Sequence, residues 1–147
     1  MSDSFVTKFL HVAREVTAAD RGMAVDMNLQ VQAAINLDES TLRAPRFTTL
    51  AEVTLRQALD QNEAILTNNI VTTPEEAPRT NTTFSDLRVV MVIPVPDMGA
   101  VYLDQPIKKG VIPREVMNKL STMVRQVIAE GQTELSKDEL VALYNRG

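Results

Sequence analysis

Cysteine is absent from the chain, and histidine occurs once, at His11. The absence of thiols excludes disulfides, thiolate zinc sites, iron–sulfur clusters, cysteine nucleophiles and thiol-linked chromophores. A single imidazole also leaves few groups for covalent or acid–base catalysis. We therefore expect a protein that is not an enzyme and that holds no metal and no cofactor.

Long apolar runs and an excess of basic residues are missing as well. The longest apolar run, Val89–Val95, is far shorter than the roughly 20 residues of a membrane span, and the polar start Met1–Ser4 is unlike a signal peptide. The 15 Lys and Arg against 19 Asp and Glu give a net charge of −4, which argues against a general nucleic-acid binder. We expect one cytoplasmic globular domain without nucleic-acid or membrane partners.

The first part of the chain has the pattern of a helix followed by a hairpin. Apolar residues repeat at helical spacing from about Ser4 to Ala18, and a cap is available at Ser2, Asp3 or Ser4. Gly22–Met27 is a short apolar stretch, and Leu29–Leu37 alternates apolar with polar residues. These two segments predict a pair of strands joined by a turn.

The middle of the chain predicts a loop, a helix and a strand. Asp38–Phe47 is charged and contains proline, which is typical of a loop. Thr49 with Glu52 forms a capping-box pattern before a helix that runs to Leu59. Ala64–Ile70 then has the composition of a strand.

A long irregular segment, Val71–Asp86, precedes the most apolar strand, Leu87–Val95. Such a loop in a compact domain is a lid, a binding loop or a disordered segment. Pro94 predicts that its strand lies at an edge or ends there. Gly99–Asp104 returns as the next strand.

The last part of the chain predicts two helices. Pro113 fits the first position of a helix that Gly131 ends. Ser136 and Glu139 form a second capping box before a short helix, Lys137–Asn145.

The order of these elements predicts an α+β fold. Hairpin-linked strands between terminal helices favour an antiparallel sheet of five to six strands with the N- and C-terminal helices packed on one face. We assign residues 1–131 to this domain. Residues 132–147 are either a packing helix or the start of a linker.

Several strings resemble the GAF domain family in their order and spacing over roughly Phe5–Gly131. Ala19-Asp20-Arg21-Gly22 is similar to the family's entry into its first strand, and Val90–Val95 to its apolar strand ending in proline and an aliphatic residue. Gly99-Ala100-Val101-Tyr102-Leu103-Asp104 resembles its "GvLyLD" strand, and Ile112–Ile128 its last helix.

The resemblance implies a pocket in front of the sheet, roofed here by residues 71–86. Members of the GAF family bind small molecules such as cyclic nucleotides, bilins or haem, and they dimerise through their first and last helices. The family's cyclic-nucleotide binders carry an Asn-Lys…Phe…Asp-Glu signature along the core of the domain. The chain's only Asn-Lys, Asn118-Lys119, lies instead in the segment that resembles the family's last helix, so the ordered signature is absent. The family's reductase branch for methionine sulfoxide requires cysteines, which this chain lacks.

The predicted roof supplies the candidate ligand-binding residues. The Arg79 side chain offers a cation for an anionic group, and Asn81, Thr83 and Asp86 offer hydrogen bonds. The alternative is a surface loop that binds no ligand.

The candidate dimer interface consists of Val6 and Leu10 on the first predicted helix and of Val124 and Ile128 on the predicted helix that begins at Pro113. They form a second apolar stripe beyond the one that a helix needs for its sheet. The alternative is burial within one copy. We thus expect a regulatory or signalling module that forms a homodimer or binds a partner protein, or a sensor that binds a small molecule under the 71–86 loop.

Two further residues have a functional and a plain interpretation. His11 is either a haem or metal ligand or a histidine at the helix flank or at an interface, and no second histidine supports the first alternative. Asp104 ends a predicted strand, where it serves either as a ligand or metal contact or as a turn residue.

Overall fold

The structure, a computed structural model, describes residues 4–37, 45–71, 87–106 and 109–146. Four helices lie in these ranges: α1 (Phe5–Thr17), α2 (Pro45–Gln61), α3 (Arg114–Ala129) and α4 (Lys137–Arg146). Five strands complete them: β1 (Arg21–Val25), β2 (Val31–Ile35), β3 (Ile65–Val71), β4 (Leu87–Val95) and β5 (Gly99–Pro106).

The five strands form one sheet in the order β2-β1-β5-β4-β3. Every neighbouring pair is antiparallel, and β1 with β2 and β4 with β5 are hairpins. The α+β class and the antiparallel sheet predicted from the sequence are therefore confirmed. Strand order also shows that β5 and β4, the most apolar strands, occupy the middle of the sheet, where both faces are covered.

One face of the sheet, called the first face here, carries the terminal helices. α1 contacts β1 and β5, α3 contacts β4, and α4 packs on both α1 and α3. Phe9, Leu10 and Leu120 are fully buried in this layer. Each such side chain contributes about 1.5–3 kcal/mol of burial free energy. The prediction that the terminal helices share one face is confirmed.

The first-face core includes three of the four predicted interface residues. Val6 is 5% exposed, and Leu10 and Val124 are fully buried within one copy of the chain. Ile128 is partly buried against the same core. The second apolar stripe is therefore used inside the chain, since α4 and the sheet both need apolar partners, and these three side chains present no surface to another copy.

The opposite face, called the second face, is covered by α2. This helix contacts β4 and β5. Side chains alternate along β5, so Val101 and Leu103 belong to the first-face core while Ala100 and Tyr102 belong to the second. Ala51 and Leu55 are the α2 residues buried against them, together with Ala58.

The turn between β4 and β5 depends on Gly99. Its φ is +149°, and a Cβ atom built there would lie 1.9 Å from the Val25 carbonyl oxygen. Only glycine allows the backbones of β5 and β1 to approach this closely. Pro94 pairs with Ala100 beside the same turn in a strand that has a neighbour on each side. Its strand-end interpretation is thus correct, and the edge alternative is wrong.

The helix boundaries correct one prediction made from capping patterns. α2 begins at Pro45, four residues before Thr49, so Thr49 lies inside the helix and is not its cap. Proline fits the first helical position, because its missing N–H has no intrahelical acceptor there. At α1, by contrast, the Ser4 hydroxyl oxygen accepts a hydrogen bond from the Thr7 backbone N–H at 3.2 Å, as one of the predicted caps.

The C-terminal segment packs on the first-face layer. Leu140 of α4 is fully buried in the first-face core. The Lys8 ammonium donates to the carbonyl oxygens of Thr133 and Leu135 at 3.0 and 2.9 Å, and Lys137 pairs with Glu15 at 2.8 Å. α4 thus acts as a packing helix within this layer. Within the described ranges, none of the helices has the length and apolarity that crossing a membrane requires.

Candidate functional site

A buried cluster of polar side chains lies on the second face, at the junction of β1 and β5. Arg21 and Asp104 are register partners on these strands. The Arg21 Nε and Nη2 atoms donate to the two carboxylate oxygens of Asp104, each at 2.8 Å. The Tyr102 hydroxyl donates to Asp104 Oδ2 at 2.6 Å. Asp104 and Tyr102 are fully buried, and the Arg21 side chain is 17% exposed.

The hydrogen bonds and charges of this cluster determine the pKa of Arg21. Burial alone would lower the pKa of Arg21, but the hydrogen bonds to Asp104 and the negative charge of that carboxylate outweigh it, so the pKa is raised above its ordinary value. A bidentate guanidinium–carboxylate pair with a third donor satisfies most of the carboxylate's acceptor sites. The charges therefore stay paired out of water, and losing one partner would leave the other uncompensated.

The structure contradicts one of the two roles considered for Asp104 from the sequence, that of a turn residue, and its role as a ligand or metal contact stays a prediction. Asp104 lies within β5, which continues to Pro106, and so it is not a turn residue. Its donors are a guanidinium and a phenol, and no cluster of three or more His, Cys, Asp or Glu side chains occurs in the described ranges to hold a metal. His11 is exposed on α1, away from the second face. The arrangement links β1 and β5 through a paired carboxylate.

Next to this cluster, a cavity of about 300 Å³ lies between the β1–β2 hairpin and α2. Met23, two residues from Arg21 along β1 and opposite Tyr102 in register, forms its floor with Val25 and Leu55. Both β1 residues and Leu55 are buried. A concave site of this size, apolar at its floor and polar at its rim, is typical of small-molecule binding.

The hairpin wall of the cavity is held in an uncommon backbone conformation. Leu29 has φ = +64°, in the left-handed region that bulky side chains rarely adopt. The Asp26 carboxylate imposes it by accepting hydrogen bonds from the N–H groups of Asn28 and Gln30 at 2.8 and 3.0 Å. This turn directs the Leu29 side chain onto the second-face core, where it lines the cavity. Strained residues of this kind concentrate at ligand sites.

The helical wall contributes the charged part of the rim. Glu52 and Arg56 of α2 line the cavity and form an ion pair at 3.1 Å, one helical turn apart. Their side chains are 52% and 63% exposed, so the pair gains little in water. Either side chain can therefore exchange its partner for a polar group of a ligand at small cost.

A second unusual polar group lies on the same face. The register places Thr67 opposite Val90, and Val90 opposite Asp104, so these residues form one row across the sheet. The Thr67 hydroxyl oxygen is buried and makes no hydrogen bond to any residue in the described ranges. A buried hydroxyl without a partner costs free energy, and together with the ionic cluster it makes this face more polar than an ordinary core layer.

The ligand contacts predicted from the sequence fall on a part of the chain that the structure does not describe. Arg79, Asn81, Thr83 and Asp86 lie outside the described residues, so that prediction stays a prediction. The Arg21–Asp104 pair was missed although both residues stand in the two strings that carry the family resemblance. Opposite charges at the start of one predicted strand and the end of another were the available signal, and only the strand order brings them together.

Comparisons with known proteins bear on the fold. No family model and no curated protein matches the chain. Among solved structures, it is similar to the GAF domain/HD domain protein from Geobacter sulfurreducens, with a TM-score of 0.54 and 11% identity over 97% of this chain and 93% of that chain. At this identity the likeness shows the fold alone: the chain has a GAF-like fold.

Proposed function

We propose that the chain is a non-catalytic regulatory module that senses a small molecule in the cavity between the β1–β2 hairpin and α2. The observation that supports it best is the cavity itself, with an apolar floor at Met23, Val25 and Leu55 and a weak ion pair at its rim. The GAF-like fold is consistent with this role, since the family it resembles includes small-molecule binders.

The chemistry of the described residues favours binding over catalysis. The one fully buried carboxylate, Asp104, is engaged by Arg21 and Tyr102. Among the described residues that line the cavity, none is a histidine, and the single carboxylate, Glu52, is exposed on α2. The described lining can hold and orient a ligand, and it contains no activated nucleophile or perturbed acid–base pair that would transform it.

A thermal-shift screen with nucleotides, tetrapyrroles and small organic acids tests the proposal. A ligand that binds only the folded chain raises its stability by about 2.7 kcal/mol at 100 times its Kd. Val31 lines the cavity and is 46% exposed, so Val31→Trp should fill the opening without disturbing the core. Val53 on α2 is 61% exposed and does not line it, which makes Val53→Trp the matched control.

A hit that is lost in Val31→Trp and kept in Val53→Trp supports the proposal. Absence of any stabilising compound in the screen, or equal loss in both variants, contradicts it.

Dimerisation through the terminal helices is a second hypothesis with narrower support. Of its four predicted residues, Ile128 alone retains partly exposed apolar surface, because Val6, Leu10 and Val124 are buried within one copy. Sedimentation at high micromolar concentration distinguishes the alternatives. A dimer that Ile128→Glu dissociates supports this interface, and a monomer at that concentration contradicts it.

A further inference from the structure

A larger cavity, of about 430 Å³, lies between α3 and α4 on the outer side of the first-face layer. The two helices are antiparallel, because Lys119 near the start of α3 lies over Tyr144 near the end of α4. Gln132, in the connection between the helices, lines the opposite end. This groove shares no lining residue with the cavity at α2.

The groove has an apolar floor. Met123 and Val127 of α3 are buried, and Leu143 and Tyr144 of α4 are partly buried. Burial raises the pKa of the Tyr144 phenol, so its hydroxyl stays protonated over the physiological range and can donate a hydrogen bond. A flat aromatic ring and a thioether favour contact with another aromatic ring.

Charge is distributed unevenly along the groove. The Lys119 ammonium lies 4.4 Å from the centroid of the Tyr144 ring, and it has no acidic partner or hydrogen-bond acceptor within the described ranges. This half-buried cation is therefore only partly compensated. Glu130 lines the other end, 11 residues along the chain, which corresponds to about 16 Å of helix.

We propose that this groove binds a small aromatic monocarboxylate. The ligand's carboxylate pairs with the Lys119 ammonium, and its ring packs against Tyr144, Leu143 and Met123. Charge complementarity sets the orientation, because Glu130 repels an anionic group at the far end. The same repulsion selects against a second carboxylate on the ligand.

A ligand held in this way would bridge α3 and α4. The competing explanation of the Lys119–Tyr144 contact is a purely structural cation–π interaction that attaches α4. The two explanations differ in their response to an added anion. A structural contact does not bind phenylacetate, whereas a binding site does.

Phenylacetate titrated against the ¹⁵N-labelled chain tests the proposal, with phenylacetamide as the uncharged analogue. We expect amide shifts at residues 118–127 and 143–144, and weaker binding by about tenfold for phenylacetamide. Lys119→Gln should raise the Kd by a similar factor. Lys109→Gln is the control, because Lys109 is an exposed lysine that pairs with Asp20 outside the groove.

Three results would overturn the proposal: no shifts at millimolar phenylacetate, equal binding of the amide, or unchanged affinity in Lys119→Gln. Shifts at residues 23–31 and 51–56 would instead place the anion in the α2 cavity. That result would leave the proposed sensing function standing while rejecting this second site. A fold check by circular dichroism accompanies each variant.

Discussion

At the scale of single residues, the Arg21–Asp104 pair links the two strands that carry the recognisable strings of the sequence. The β1–β5 register places them opposite each other, and Tyr102 adds a third hydrogen bond from the next residue on the same face of β5. The sequence predicted both strands, but it could not predict the pair, because only the strand order brings the two residues together.

Asp104→Asn should destabilise the chain by about 3–5 kcal/mol, since it leaves the Arg21 guanidinium without its counter-charge. Urea unfolding followed by circular dichroism measures this loss. Glu52→Gln is the control, because it breaks an exposed ion pair that is worth at most about 1 kcal/mol. Equal losses in the two variants would show that the buried pair has no special role.

Gly99→Ala should cost more than about 3 kcal/mol, because the new Cβ would overlap the Val25 carbonyl oxygen and the backbone of β1 must move. Gly131 also has a positive φ, +68°, but a Cβ there meets nothing within 4 Å. Gly131→Ala should therefore cost only about 1–2 kcal/mol of backbone strain. Thermal unfolding of the two variants compares them, and similar melting temperatures would contradict the steric argument.

At the scale of elements, local patterns predicted helix ends well where side chains cap them. Ser136 and Glu139 form the predicted capping box before α4: the Ser136 N–H donates to Glu139 Oε1 at 3.0 Å, and the Glu139 N–H donates to Ser136 Oγ at 3.1 Å. The same pattern failed at Thr49, because a Thr-x-x-Glu string inside a helix looks identical to one at its start. Sequence alone does not distinguish the two.

The capping box makes the α4 terminus sensitive to acid. Hydrogen bonds from Ser136 lower the pKa of Glu139 below its ordinary 4.5. A lowered carboxyl pKa stabilises the folded state above the unfolded value, and this contribution is lost as the pH falls through the folded one. The protection factors of the α4 amides, which correct the exchange rates for their intrinsic pH dependence, should therefore fall on acidification below pH 4.5.

Glu139→Gln should remove that dependence, whereas Asp138→Asn in the same turn should retain it. Hydrogen exchange between pH 5 and about 3 compares the variants. An unchanged acid dependence in Glu139→Gln would assign the effect to other carboxylates.

At the scale of the whole molecule, periodicity predicted the sheet and its terminal helices because each element carries its own apolar pattern. Phe9 and Leu120, for example, mark core faces that a helical wheel displays directly. The two cavities could not be predicted from the periodicity of single elements. Each cavity lies between two elements whose relative position is decided only by packing. The cavity between α2 and the Asp26–Leu29 turn is an example, because its two walls are distant in the sequence.

The measurement that bears most directly on the sensing role is the amide spectrum of the chain titrated with a compound that stabilises it. The account predicts that the shifts converge on residues 23–31 and 51–56, around the Leu29 turn and the Glu52–Arg56 rim, and that Val31→Trp abolishes them. Failure of every stabilising compound to shift residues 23–31 and 51–56, or shifts there that persist unchanged in Val31→Trp, would contradict it.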